Sequence, residues 1–160
     1  MDTLILADSN GYHWFDSEPN WSIHSFHVGK LPDMINMIKR SYIPPTVKVI
    51  IIAVGINYRN EGLNAFTGHI TNLKDYLDTL QGITSKFLLV PQMPNFTPSE
   101  SHNIAHLNKV AKDAFGAKDT INCPPHGEIE CLHDNDPAHY NWVTGARMAQ
   151  CVRNHLTSLN

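Results

Sequence analysis

Short apolar runs alternate with amphipathic stretches along most of the chain. Five runs have the length and composition of strands, at residues 3–7, 21–28, 47–54, 86–90 and, less clearly, 120–123. The run 47–54 is almost entirely aliphatic, which is typical of a central strand covered on both faces. The run 21–28 alternates with a period near two, which is typical of a half-buried strand at the edge of a sheet.

Between the strands, apolar residues recur every three or four positions, as they do on the buried face of a helix. The predicted helices centre on residues 31–38, 66–80, 104–115 and 140–156, with a polar loop at 95–101 and an irregular one at 124–136. Repeated strand–helix alternation predicts an α/β fold, with a parallel sheet and helices on both faces. At 160 residues, we expect the chain 1–160 to be a single domain.

Composition and charge limit the kinds of binding partner and the cellular location that we expect for this chain. Hydrophobic residues make up 42% of the chain, charged residues 17%, and the net charge is −3, which argues against direct nucleic-acid binding by this domain alone. No apolar run is long enough to cross a bilayer, and no basic leader precedes the first strand. Cys123, Cys131 and Cys151 are an odd number and are interpreted as reduced thiols. We therefore expect an intracellular, cytoplasmic protein without a signal peptide.

The chemistry-bearing residues stand beside predicted strand and helix ends. Ser9 follows the first strand, and Asp136 and His139 form an Asp-x-x-His motif before the last helix. These residues suit the nucleophile, the orienting acid and the general base of serine acyl transfer. Asp136 could instead cap the last helix, with Pro137 in its first turn, and the two roles are compatible. Asp134 is a second candidate for the orienting acid.

An oxyanion would need hydrogen-bond donors close to Ser9. The Asn57 side chain, after the third strand, and the backbone N–H groups of Gly29 and Ser9 are the candidates. The simpler alternatives are that Asn57 caps its loop, that Gly29 turns the chain, and that the polar turn around Ser9 only caps a helix. In a parallel sheet, all these positions would lie along one edge, where ligands bind.

These residues together resemble the SGNH (GDSL-type) hydrolase family, over essentially the whole chain. The motifs that carry the resemblance are Asp8-Ser9, Gly29, Gly55-x-Asn57 and Asp136-x-x-His139. The resemblance implies a flavodoxin-like three-layer α/β/α sandwich and a Ser9–His139–Asp136 triad. It also implies an oxyanion hole formed by Ser9, Gly29 and Asn57, and no cofactor. The sequence departs from the family pattern at Ala7, where the family has glycine, and at Tyr58, where it has an acid.

The sequence of residues 54–60 and the short length of the chain resemble, more narrowly, the esterase domain of first-open-reading-frame proteins of vertebrate LINE-type retrotransposons. That resemblance implies a short-acyl (acetyl) esterase. It also implies a parent chain that self-associates and binds RNA through other domains. The expected substrate is a small acyl ester, with a lipid as one option.

Two alternatives stay open at this point. Cys123, His126, Cys131 and His133 are zinc-ligand types within one loop, although their spacing matches no usual zinc pattern. The chain could also be a catalytically silent binding module for lipid or acylated ligands that retains the fold. The loop at 93–96 and Trp142 are the candidate walls of a substrate pocket.

Overall fold

The computed structural model describes residues 2–14, 20–26, 30–62, 64–125, 127 and 129–158. Within these residues, five strands form one parallel sheet in the order β2-β1-β3-β4-β5. The strands are β1 (Asp2–Asp8), β2 (Trp21–Phe26), β3 (Val47–Ala53), β4 (Thr84–Leu88) and β5 (Thr120–Ile121). This arrangement confirms the predicted α/β fold.

The burial of each strand follows its sequence pattern. From Val49 to Ile52, the aliphatic β3 is buried at every position, because β1 and β4 flank it and the sheet faces are covered. β2 alternates between half-buried and exposed positions and lies at the edge, as its period of two predicts. β3 is therefore the rigid centre from which the neighbouring loops depart.

Four α-helices accompany the sheet in the described part of the chain. They are α1 (Leu31–Arg40), α2 (Thr67–Asp78), α3 (Pro98–Phe115) and α4 (Trp142–Thr157). α1, α2 and α3 pack side by side, and α4 packs against the short 3₁₀ helix Ser9–His13 that connects β1 to β2. Because parallel connections are right-handed, the two groups cover opposite faces of the sheet.

α3 begins earlier than predicted, and the expected polar loop 95–101 is wrong in its second half. The Thr97 hydroxyl accepts a hydrogen bond from the Glu100 N–H at 3.1 Å. The Glu100 carboxylate in turn accepts one from the Thr97 N–H at 2.9 Å. This reciprocal capping box starts the helix at Pro98.

The expectation of three reduced thiols is wrong. Cys123, just after β5, and Cys151, in α4, form a disulfide with their Cα atoms 5.6 Å apart, and Cys131 is the free cysteine. The disulfide ties α4 to the edge of the sheet. Because disulfides persist mainly in oxidising compartments, the cysteines no longer support an intracellular location. None of the described helices has the length and hydropathy of a membrane span.

The disulfide also removes Cys123 from the zinc hypothesis. His126 lies outside the described residues, and among those described no group of three or more metal-ligating side chains is found. The described structure therefore lends no support to a zinc site in the loop before α4.

Candidate active site

The candidate site lies where the order of the strands reverses. β1 and β3 are neighbours, with Ala7 opposite Ala53, but the chain leaves β1 towards β2 on one side and leaves β3 towards β4 on the other. Such a switch point opens a crevice beyond the carboxyl ends of the strands. Ser9 directly follows β1, and Asn57 lies just beyond β3.

The structure brings Ser9, His139 and Asp136 together. The Ser9 Oγ lies 2.8 Å from the His139 Nε2, across a sequence separation of 130 positions. On the other side of the ring, the His139 Nδ1 lies 3.1 Å from Asp136 Oδ2 and 3.2 Å from Oδ1. With the proton on Nδ1, the imidazole donates to the carboxylate and leaves Nε2 free to accept the serine proton. The His139 side chain is 35% exposed and that of Asp136 is 14% exposed, so the ring faces the crevice and the acid lies behind it.

Asp136 is held as a carboxylate by its own turn. Burial alone would raise its pKa, but hydrogen bonds from the Ala138 and His139 N–H groups, and the nearby imidazole, outweigh burial and lower the pKa. Those N–H groups lie 2.9 and 3.0 Å from Asp136 Oδ1. Asp136 therefore caps a local turn that presents His139.

Asp136 does not cap the last helix, so that alternative is wrong. α4 begins at Trp142, and its N-cap is Asn141, whose side chain accepts from the Thr144 N–H at 3.1 Å. The carboxylate of Asp136 therefore serves its own turn and the His139 ring, and not the start of α4. Asp134, the second candidate for the orienting acid, is exposed, whereas Asp136 makes the contacts to the imidazole.

Asp8 joins the serine turn to the loop after β3. Its carboxyl is 4% exposed and caps the 3₁₀ helix Ser9–His13 by accepting from the Asn10 N–H at 3.1 Å. Burial raises the pKa of Asp8 to about 6, although hydrogen bonds from the backbone of Asn10, Gly55 and Ile56 lower it. This carboxyl thus links Ser9 to the segment that carries Asn57.

Of the three predicted oxyanion donors, the structure describes two. The half-buried Asn57 lies in the 3₁₀ helix Ile56–Tyr58, and Ser9 begins the 3₁₀ helix after β1. Gly29 lies outside the described residues. Asn57 and Ser9 therefore lie in the loops that follow the adjacent strands β3 and β1.

Tyr58, the residue after Asn57, connects its loop to neighbouring helices. Its hydroxyl accepts from the Leu31 N–H at 3.0 Å and lies 3.0 Å from the His69 Nδ1. The ring is 1% exposed, and burial raises the pKa of the hydroxyl to about 12. Tyr58 thereby ties the Asn57 loop to the start of α1.

The sequence matches no protein-family model and has no significant match among curated proteins. Solved structures, in contrast, match over nearly the whole chain. One is a lipolytic protein of the G-D-S-L family from Veillonella parvula, with a TM-score of 0.75, 14% identity and 98% of each chain covered. Another is a carbohydrate acetylesterase from Sinorhizobium meliloti, with a TM-score of 0.72, 12% identity and 100% of each chain covered. An acetyl xylan esterase has a TM-score of 0.69 and 12% identity, with 96% of this chain and 98% of that one covered.

The chain has the fold of the SGNH (GDSL-type) hydrolases. At these identities the likeness concerns the fold, and the chemistry depends on the residues at the switch point. Of the candidate pocket walls, Met93 is 3% exposed and belongs to the core, whereas Trp142 is 63% exposed at the start of α4.

Sequence analysis missed polar and aromatic residues that join the turn of Ser9 to the residue after His139. The Trp14 Nε1 donates to the Tyr140 hydroxyl at 2.6 Å, and the ring of His13 meets that of Tyr140 edge-on. Burial, and secondarily the charge of His139, lowers the pKa of His13, which favours a neutral ring. These contacts join the serine turn to the residue after His139, and no local sequence signal indicates them.

One missed feature did carry a signal. Gly145 interrupts the amphipathic pattern of the last helix, and such a glycine often marks a close approach between backbones. A Cβ built on Gly145 would lie 1.8 Å from the carbonyl oxygen of His13. The glycine therefore lets α4 pack directly on the 3₁₀ helix that begins with Ser9.

Proposed function

We propose that this protein is a serine carboxylic ester hydrolase that acts through an acyl-enzyme and prefers short acyl groups. The observation that supports the proposal is the chain of contacts from the Ser9 Oγ to the His139 Nε2, at 2.8 Å, and from Nδ1 to Asp136 Oδ2, at 3.1 Å. A hydroxyl next to an imidazole that is oriented by a carboxylate is the arrangement that activates serine as a nucleophile.

In the first half-reaction, Ser9 Oγ would attack the carbonyl carbon of the ester while His139 Nε2 takes the hydroxyl proton. The negative charge that develops on the carbonyl oxygen would be stabilised by the Asn57 side chain and the N–H groups of Ser9 and Gly29. The tetrahedral intermediate would then expel the alcohol, which receives its proton from His139. The ester bond is broken, and the acyl group is bound to Ser9.

The second half-reaction would use water in place of the alcohol. His139 removes one proton from the water, whose oxygen attacks the acyl carbon, and the same proton returns to Ser9 Oγ as the acyl bond breaks. The products are the carboxylic acid and the free enzyme. Asp136 would stay ionised throughout and stabilise the imidazolium, which agrees with its lowered pKa.

Hydrolysis of p-nitrophenyl acetate by the protein and by Ser9→Ala tests the proposal. We expect activity that disappears in Ser9→Ala and persists in Ser22→Ala, which changes an exposed serine of β2. A fluorophosphonate probe should label Ser9, and His139→Ala should block labelling while His102→Ala, on the exposed side of α3, should not. Equal hydrolysis by the parent and Ser9→Ala would contradict the proposal and favour the silent binding module.

The short-acyl preference is the finer part of the proposal. It is supported by two matched proteins that are described as a carbohydrate acetylesterase and an acetyl xylan esterase. We expect acetyl esters to be hydrolysed faster than octanoyl esters. An inverted chain-length profile would overturn the preference while leaving the esterase itself intact.

The narrower resemblance to LINE-encoded esterase domains stays a prediction. It would place coiled-coil and RNA-binding modules in other parts of a longer parent chain. Sequencing of the surrounding genomic DNA tests it, because a LINE element would carry a reverse-transcriptase reading frame nearby. An isolated gene without such a neighbour would contradict the retrotransposon origin and leave the esterase proposal untouched.

A further inference from the structure

Asn10, the residue after the candidate nucleophile, holds the backbone on both sides of His139. Its Nδ2 donates to the Ala138 carbonyl oxygen at 2.8 Å, and its Oδ1 accepts from the Tyr140 N–H at 3.1 Å. The Asn10 side chain is 5% exposed, so these bonds are shielded from water. One rigid amide thus links the turn that carries Ser9 to the residues that flank the base.

A second asparagine holds the same segment from the opposite end. Asn95, in the loop between β4 and α3, donates from Nδ2 to the carbonyl oxygens of Asp134 and Asp136, at 2.8 and 3.0 Å. We call residues 134–140 the acid–base turn. Asn10 and Asn95 both bind the backbone of this turn, so neither needs to touch the reacting atoms to influence them.

We propose that Asn10 and Asn95 are positioning residues that fix the acid–base turn, and with it His139, against Ser9. This inference rests on the proposed esterase function. The hydrogen bonds within the turn, from the N–H groups of Ala138 and His139 to Asp136, fix its internal shape. They do not determine where the turn lies relative to β1; the two asparagines contribute to that placement, together with the hydrogen bond from Trp14 to Tyr140.

The surroundings of the turn explain why it needs such support. Ala138 and Tyr140 are buried in the core, but residues 132–135 are exposed and Asp136, Pro137 and His139 are only half-buried, so the acid and the imidazole themselves have little packing around them. A hydroxyl–imidazole contact of 2.8 Å tolerates little displacement. A shift of about 1 Å in a reacting group can lower the rate by about 100-fold.

The chain offers a matched control for this amide clamp. Asn108, in α3, donates to the Val90 carbonyl oxygen and accepts from the Val90 N–H, both at 2.9 Å. Like Asn10, it uses both ends of its amide to bind backbone groups, but these groups belong to Val90, in the loop after β4, and not to the acid–base turn. Asn108→Ala therefore removes a comparable pair of side-chain-to-backbone hydrogen bonds, and lowers stability, without loosening His139.

The experiment compares Asn10→Ala, Asn95→Ala and Asn108→Ala with the parent, at a temperature where urea titration shows each to be folded. We expect kcat for p-nitrophenyl acetate to fall by about 100-fold in Asn10→Ala and by about 10-fold in the exposed Asn95→Ala, with KM within about twofold. Fluorophosphonate labelling of Ser9 should slow in parallel. Asn108→Ala should lower stability without lowering kcat or slowing the labelling of Ser9.

The proton on His139 Nδ1 gives a readout that does not require turnover. In the parent and in Asn108→Ala, this proton should give a downfield ¹H resonance, because it is shared with Asp136. In Asn10→Ala and Asn95→Ala the resonance should move upfield or broaden. If the two asparagines only stabilised the fold, the resonance would be unchanged in the folded variants.

Each result supports or overturns the inference. If Asn10→Ala and Asn95→Ala lose no more kcat than Asn108→Ala and keep the downfield resonance, the inference is wrong, although Ser9-dependent hydrolysis would still stand. If Asn10→Ala does not fold, Asn95→Ala decides alone, because its exposed side chain is not needed for the core. If the parent shows no Ser9-dependent hydrolysis, it is the proposed function that fails, and the resonance still tests the positioning.

Discussion

The buried carboxyl of Asp8 allows a quantitative test of the electrostatics beneath the candidate site. The residue is 4% exposed, lies directly before Ser9 and receives hydrogen bonds from the backbone of Asn10, Gly55 and Ile56. Asp8→Asn keeps the shape of the side chain and removes its titration. The comparison therefore isolates the free-energy cost of ionising this one group inside the protein.

The sign and size follow from the two pKa values. Burial raises the pKa of Asp8 from 3.8 to about 6, so the folded protein binds this proton more tightly than the unfolded chain does. The stabilisation is complete below pH 3.8 and is lost as the pH rises through about 6. The difference between the two pKa values corresponds to about 3 kcal/mol in the free energy of unfolding.

Urea titration of the parent and Asp8→Asn, repeated between about pH 4 and about pH 7, measures how the free energy of unfolding of each depends on pH. Subtracting the two removes the contribution of all other titrating groups, which both proteins share. We expect the stability of the parent relative to Asp8→Asn to fall by about 2 kcal/mol across that range, because part of the total change lies below pH 4. A relative stability that stays constant, or one that rises with pH, would refute the argument. A rise would mean that the backbone hydrogen bonds outweigh the cost of burial.

Three further predictions concern packing and the disulfide. Gly145→Ala should cost about 2 kcal/mol in urea titration, because the new methyl lies 1.8 Å from the His13 carbonyl oxygen. Gly68→Ala in α2, with open space around it, should change stability little, and equal effects at both positions would argue against the close approach. Unreduced protein in urea should titrate as one thiol, Cys131, and as three after reduction; three thiols before reduction would contradict the disulfide. Cys151→Ser should lower the free energy of unfolding by about 3 kcal/mol, because it opens a loop spanning 28 positions.

The architecture could be predicted from the sequence because each element carries its own local signal. The aliphatic 47–54 indicated the centre of the sheet, and the alternation in 21–28 indicated its edge. Parallel topology then constrained Ser9 and Asn57 to the same rim. The start of α3 could also have been predicted, since Thr97-x-x-Glu100 is a capping-box pattern. The polar composition of 95–101 favoured a loop instead.

The contacts that complete the site could not be predicted, because they join distant positions through groups without a distinctive pattern. Asn10 reaches Ala138 across 128 positions, and an asparagine in a turn has ample local reasons to be there. Likewise, Cys123 and Cys151 are ordinary cysteines until the fold places their Cα atoms 5.6 Å apart. Residue types indicate what chemistry is available, whereas only tertiary structure decides which groups meet.

The separation of Ser9 from His139 by 130 positions has a consequence for biosynthesis. In a nascent chain Ser9 emerges well before His139, which follows only after β5 has been made. Closing so long a loop costs entropy that only the assembled sheet and α4 repay, so the pair forms late in folding. Reactivity of Ser9 towards an acylating probe would therefore report the moment at which ribosome-released chains complete their folding.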